Sequence, residues 1–198
     1  MNNMLYTIGH SNYSIDSFID IISQYKNDRT YIVDVRSVPF SSHTPQFNAD
    51  YLKNILRAVG MHYVPMGKEF GARREELEAY NNNKQVDFIK TAHLGLFQAG
   101  IQRIKKGLSL SCNLILMCSE RSPLECHRFA LVARNLYKQG IQVNHIIGNH
   151  EVITQAQAEE LLINKYQSKI DSLFAPSYAD LLDQAYSLLN KDIGYRKN

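Results

Sequence analysis

The sequence predicts an α/β protein: three layers, a mainly parallel five-stranded sheet with helices on both faces, and a C-terminal helical extension. Three observations carry that prediction. Apolar runs of strand length alternate along the chain with segments of helical periodicity. No two of these runs are joined by a short hairpin turn, so successive strands need crossover connections and run parallel. The most hydrophobic run, NLILMC (113–118), lacks polar alternation, as suits a strand covered on both faces.

Taken in order, MLYTI (4–8) is a first short strand, ended by Gly9. SIDSFIDIISQY (14–25) carries apolar residues at 15, 18, 19 and 22, a helical period with Ser14 as its cap. TYIVDV (30–35) is a β-branched second strand. NADYLKNILRAVG (48–60) reads as a helix with Asn48 at its N-cap and Gly60 past its end. MHYVPM (61–66) is a third strand, weakened by Pro65. Residues 67–85 read as a long polar loop and 86–106 as one helix. NLILMC is the fourth strand, 123–139 the next helix, and IQVNHII (141–147) the fifth strand. TQAQAEELLINKY (154–166) and SYADLLDQAYSLLN (177–190), the latter after Pro176, are amphipathic helices. The expected organisation is a core over residues 1–150, with 151–198 packed on it.

The chain has 198 residues, 44% hydrophobic and 21% charged, ordinary for a globular domain. No apolar run is long enough to span a bilayer, and no membrane partner is expected. MNNMLYTIGHS lacks a basic region followed by an apolar stretch, so no signal peptide is expected and the cytoplasm is the expected compartment. The net charge of +3 is a mild tilt that does not by itself imply nucleic acid. Local basic clusters, GARR (71–74), RIKK (103–106) and YRKN (195–198), are candidate phosphate-facing patches or solvated surface. Three cysteines make no disulfide framework. Cys112 and Cys118 would stand roughly 20 Å apart on a strand, so paired chemistry can involve only Cys118 and Cys126.

Ligands of open α/β sheets bind beyond the carboxyl ends of the strands. The segments leaving the strands at that edge are rich in chemistry: Gly9, His10 and Ser11; then Asp34, Arg36, Ser37 and Ser41; then Lys68, Glu69, Gly71, Arg73 and Arg74; then CSERSPLECHR (118–128); then Asn149, His150 and Glu151. Each has a plain structural reading as a turn cap, an ion pair or a solvated charge. Ser122 to Glu125 fits S-x-x-E with Pro123 at the first helical position, which predicts a helix opening at Pro123. Its positive dipole end would point at this edge, a ready anion site with Arg128 within reach. In a continuous helix Cys126 shares the apolar face with Phe129, Ala130 and Ala133, so it is expected to point at the sheet. Cys118, ending a strand before a helix start, is a candidate nucleophile as well as a structural cysteine. A metal reading would use Cys118, Cys126, His127 and His10, with zinc as the fitting ion. Paired C-x-x-C knuckles are absent, and adjacent helical residues face about 100° apart, so no metal is expected and no cofactor is required.

YTIGHS (6–11), VDVRSVPFS (33–41) with PQFN (45–48), and CSERSPLECHR together resemble the signature of the family called domain of unknown function 488. The resemblance covers roughly residues 4–150 and falls on Gly9, His10, Ser11, Asp34, Arg36, Pro39, Cys118, Glu120, Cys126, His127 and Arg128. The family's two-glycine turn followed by arginine is here EFGARR, which keeps Gly71 and Arg73 with Phe70 at the first glycine position. The resemblance implies a cytoplasmic α/β protein without an established activity. A likeness to rhodaneses and cysteine phosphatases is slighter: a C-x5-R loop from Cys118 would need arginine at Leu124.

The leading expectation is an enzyme, or a binding protein, for a phosphate-bearing substrate such as a nucleotide or nucleic acid. Gly9, Ser11, Arg36, Gly71, Arg73 and Arg128 would hold the anion, since the planar arginine fork suits phosphate oxygens. Asp34 or Glu120 would act as general base or acid, with His10 or His127 as proton carrier. A non-catalytic nucleic-acid-binding or complex-forming module, and thiol-dependent chemistry through Cys118, are the alternatives.

Overall fold

The computed structural model describes residues 5–148, 151–171 and 177–197. The strands are β1 (Leu5–Gly9), β2 (Thr30–Asp34), β3 (His62–Pro65), β4 (Asn113–Cys118), β5 (Val143–Ile146) and β6 (Val152–Thr154). They form one sheet in the order β3-β2-β4-β1-β5-β6. Every neighbouring pair is parallel except β5 with β6. The sheet is therefore mixed and six-stranded, which corrects the expectation of five. The extra strand is three residues long, and its last residue, Thr154, also caps the following helix, so no strand-like run marks it. β3 lies at a sheet edge, where Pro65 removes no needed ladder donor.

Helices α1 (Ile15–Ser23) and α2 (Ala49–Ala58) bury Phe18, Ile21, Ile22, Leu52 and Leu56 in a cluster with Tyr6, Ile8, Ile32, Ile115 and Met117. The alternate strand residues Leu5, Val33, Leu114 and Leu116 belong to a second cluster, as the period-2 pleat requires. That cluster takes in α5 (Gly95–Ser109), α6 (Arg134–Tyr137), α7 (Gln155–Tyr166) and α8 (Tyr178–Ile193). Ser14 caps α1, and capping boxes open α7 and α8 from Thr154 and Ser177. Asn48 stands at the cap position of α2, but its Oδ1 accepts from Ser41 N at 2.7 Å instead.

Local departures from the sequence reading have identifiable causes. The helix expected over 86–106 is two, α4 (Phe88–His93) and α5, because Asp87 caps the first and Leu94 is extended before Gly95. The loop 67–85 contains a short helix, α3 (Gly67–Phe70). The helix expected over 123–139 does not open at Pro123. One 3-10 turn spans Pro123–Glu125, Cys126 is extended with φ −135° and ψ 137°, and helical backbone resumes as a π-helical stretch, Arg128–Ala133. Ser122 accepts from Leu124 N, so it caps that single turn and not a long helix. Asn149, His150 and Pro176 lie outside the described residues. Among the described residues no helix is long and apolar enough to cross a membrane.

The sense in which successive crossovers move across the sheet reverses between β1 and β4. From β1 the chain crosses to β2, while from β4 it crosses to β5 on the other side. This is the switch point at which such sheets open a crevice. Here the backbone bridges it: His10 N donates to Cys118 O at 2.9 Å and Ser11 N to Ser119 O at 2.8 Å.

Candidate functional site

Three groups of residues occupy the carboxyl edge. The first is an ion pair carried by β2 and its exit. Asp34 ends the strand, and its carboxylate accepts from Arg36 Nε, from Arg36 NH2 at 2.6 Å, and from Tyr63 OH at 2.7 Å. Arg36 NH2 also donates to Phe47 O at 2.7 Å. Arg36 NH1 lies 3.0 Å from His10 Nε2. Since His10 Nδ1 lies 2.8 Å from Ser11 O, Nδ1 carries the proton and Nε2 accepts from the arginine. Burial, helped by the Arg36 charge, pushes His10 down to about 4. Its ring stacks on Phe47 with centroids 4.2 Å apart. Asp34, Arg36 and His10 are thus brought together, but as a closed buried network in which each polar group already has a partner.

The second group is built from the segment after β4. Cys118 and Cys126 are 2% and 1% exposed. Their Sγ atoms lie 3.1 and 2.9 Å from Glu120 Oε2, and 3.8 and 4.0 Å from His127 Nδ1. Four donor atoms therefore lie within 4.8 Å of one another. His127 Nε2 donates to Val35 O at 3.1 Å, which turns Nδ1 towards the sulfurs. Burial pushes the Cys118 thiol well up. Burial and the neighbouring Cys126 push Glu120 up as well. The extended backbone at Cys126 is what makes this convergence possible, because it frees the residue from the helical phase that would aim it at the sheet.

The loop carrying Glu120 is held on both sides. Arg128 is fully buried, and its NH1 and NH2 donate to Glu120 O at 2.6 Å and Arg121 O at 2.9 Å, while Nε has no hydrogen-bond partner among the described residues. From the other side, a Cβ on Gly9 would stand 1.7 Å from Glu120 O, so only glycine allows the approach. Gly9 and Arg128 shape the loop; neither presents a free donor at the surface. Ser11, with φ 47°, turns the chain out of β1, and its hydroxyl donates to Asn12 Oδ1 at 3.3 Å.

The third group lines a cleft of about 500 Å³ formed by Ser37, Gly67, Lys68, Arg73, Arg74, Glu75, Glu76 and Leu96. Arg74 is buried and fixed by Glu76 and by the Lys68 and Glu69 carbonyls. Lys68 and Arg73 are exposed, and among the described residues neither has an ion-pair partner. Arg73 N donates to Ser37 Oγ at 2.8 Å, and its guanidinium lies 5.2 Å from the Tyr195 ring. Gly71 sits where a Cβ would meet Gly67 O at 2.3 Å and Ser37 Oγ at 2.4 Å. The second and third groups are neighbours along the chain: Val35 O receives His127, and Ser37 stands two residues further on.

Sequence reasoning did not single out Tyr63 or Phe47, which complete the Asp34–Arg36 network from other elements. It also missed a buried polar chain on β5, α7 and α8. There His145 bonds Thr7 Oγ1 at 2.8 Å and Gln155 Oε1 at 2.9 Å, and Gln155 continues to Tyr186 OH at 2.7 Å and Glu159 at 3.0 Å. The apolar flanks of these residues carry no sign of a tertiary partner.

Comparison with known proteins adds one finding. The family model described as domain of unknown function DUF488 matches residues 14–135, which include the segments after β2, β3 and β4. No curated protein and no solved structure matches the chain.

Proposed function

The chain belongs to the family of the domain of unknown function DUF488, and from that premise we propose that it binds, and acts on, a phosphate-bearing ligand in the cleft beside the carboxyl edge. A nucleotide or the end of a nucleic acid is the ligand class. The observation that carries the reading is the pair of cations, Lys68 and Arg73, left without carboxylate partners in a cleft floored by a fixed arginine. Ser37 accepts from Arg73 N and retains its O–H to donate to a phosphate oxygen. Arg36 and Arg128 do not join the clamp, because Asp34 and the backbone carbonyls already hold them. Cys118 does not serve as an exposed nucleophile in this reading: burial closes off its sulfur and keeps it protonated.

Calorimetric titration of the full chain with nucleoside triphosphates and short oligonucleotides tests this. Charge-assisted hydrogen bonds contribute about 1.5–3 kcal/mol each. Arg73→Ala or Lys68→Ala should therefore weaken binding roughly tenfold or more, and affinity should fall as salt rises. Binding that survives both substitutions unchanged removes the cleft from consideration. Tight binding of a long oligonucleotide but of no mononucleotide assigns the ligand to nucleic acid.

A further inference from the structure

We propose that Cys118, Glu120, Cys126 and His127 form a site for one zinc-class divalent cation, held by two thiolates, an imidazole and a carboxylate. Distances are the first support. Around a tetrahedral zinc, with Zn–S about 2.3 Å and Zn–N or Zn–O about 2.1 Å, neighbouring donors stand about 3.6 Å apart. The four contacts between sulfur and its nitrogen or oxygen neighbours here run from 2.9 to 4.0 Å. The set therefore needs only adjustments of side-chain torsion to close on an ion.

Orientation is the second support and is independent of the first. His127 gives its Nε2 proton to Val35 O, the arrangement that fixes a metal-binding imidazole with its other nitrogen lone pair towards the ion. Arg128 N points at Cys126 Sγ from 3.4 Å, a backbone donor suited to a thiolate. The loop carrying Glu120 is clamped by Arg128 and by the close approach of Gly9. These contacts sit outside the four donors and hold His127, Cys126 and the loop of Glu120 in place.

Backbone and charge supply the third. A continuous helix from Pro123 would keep its hydrogen-bond ladder and turn Cys126 away from His127. The chain instead breaks at Cys126 and resumes as a π-helical stretch, a feature frequent at functional sites. Two thiols and a carboxylate sharing so small a volume repel one another when ionised, and a divalent cation removes that repulsion. The mixed sulfur and nitrogen set favours zinc over magnesium or calcium, which prefer oxygen. Glu120 is the most exposed of the four.

The test uses the full chain expressed with zinc supplied. Elemental analysis should find about one zinc per chain, and chelation should release it. Removal of the ion should then speed the reaction of the cluster thiols with a thiol reagent, as local opening is no longer held back by the bound ion, and adding zinc back should slow it again. Cobalt substitution should give thiolate-to-cobalt charge-transfer absorption. Cys126→Ser and His127→Gln should each lower zinc affinity at least about a hundredfold, while Cys112→Ser, at a buried cysteine outside the cluster, leaves it unchanged. The proposal is overturned if wild-type protein reconstituted with zinc retains less than about a tenth of an equivalent. Thiol reactivity indifferent to zinc overturns it as well. These readouts need neither nucleotide nor turnover, so they stand or fall apart from the phosphate-binding cleft.

Discussion

Replacing Gly9 by alanine tests the architecture of the edge most directly. An added Cβ would lie 1.7 Å from Glu120 O, 2.6 Å from Glu120 C and 3.0 Å from Arg121 Cα, all backbone atoms. An ordinary carbon–oxygen contact is about 3.3 Å, so the loop must retreat by about 1.5 Å. Overpacking of this kind costs about 1–3 kcal/mol. The retreat also carries Glu120 O away from Arg128 NH1, a charge-assisted bond of 2.6 Å that contributes about 1.5–3 kcal/mol. The expected loss is thus about 2.5–6 kcal/mol, a large part of a typical domain's stability. The chain has no tryptophan, so urea unfolding is followed by far-UV circular dichroism. Gly95→Ala is the companion: no atom lies within 4 Å of the added carbon, and its stability should stay within about 1 kcal/mol of the parent. If Gly9→Ala also stays within about 1 kcal/mol, the close-approach reasoning is wrong.

Three further outcomes are expected. Arg36→Met should cost about 3–5 kcal/mol in the same assay, because it leaves the buried Asp34 carboxylate without its cation; a change below about 1 kcal/mol would show that solvent reaches Asp34. Burial pushes His145 down to about 4, so the unfolded chain binds its proton more tightly. Its contribution is complete above pH 6.5, drains as pH falls and is lost below about 4, and it amounts to about 3 kcal/mol at most. Wild type should therefore lose more stability than His145→Gln between pH 7 and pH 4.5, and parallel pH slopes would contradict this. Tyr186→Phe removes the hydroxyl shared by Gln155 and Glu159 and should cost about 1–3 kcal/mol in urea unfolding; no loss would mean that water replaces it.

The parallel strands and most helix ends were legible in the sequence because each rests on local signals. β-branched or apolar runs mark β2 and β4, and Ser14, Thr154 and Ser177 stand as helix caps. β6 was not legible, since three residues cannot display a period. The residue types that follow the strands at the carboxyl edge can be read along the chain, yet their partners are hidden. Arg128 reads as a free clamp, and Arg36 as either a clamp or the ion-pair partner of Asp34, because nothing along the chain shows that Phe47 O and two loop carbonyls take up their donors. The helical phase that turned Cys126 away from His127 assumed an unbroken helix. Ser122, Pro123 and Glu125 do supply a helix-start signal, but it is spent on a single 3-10 turn.

The interruption at Cys126 also bears on the order in which the edge assembles. All four donors lie on one short segment, with Cys118 and His127 separated by 9 positions, whereas Arg36 and His10 are separated by 26. Closing the longer loop costs about 1 kcal/mol more chain entropy, before any strand alignment is counted. The thiol cluster draws all four donors from β4 and its exit turn and needs β2 and β1 only for the orienting contacts at Val35 and Gly9, while the Asp34–Arg36–His10 network takes its members from the exits of two strands. Under partial unfolding, the network should therefore open before the four donors of the loop disperse.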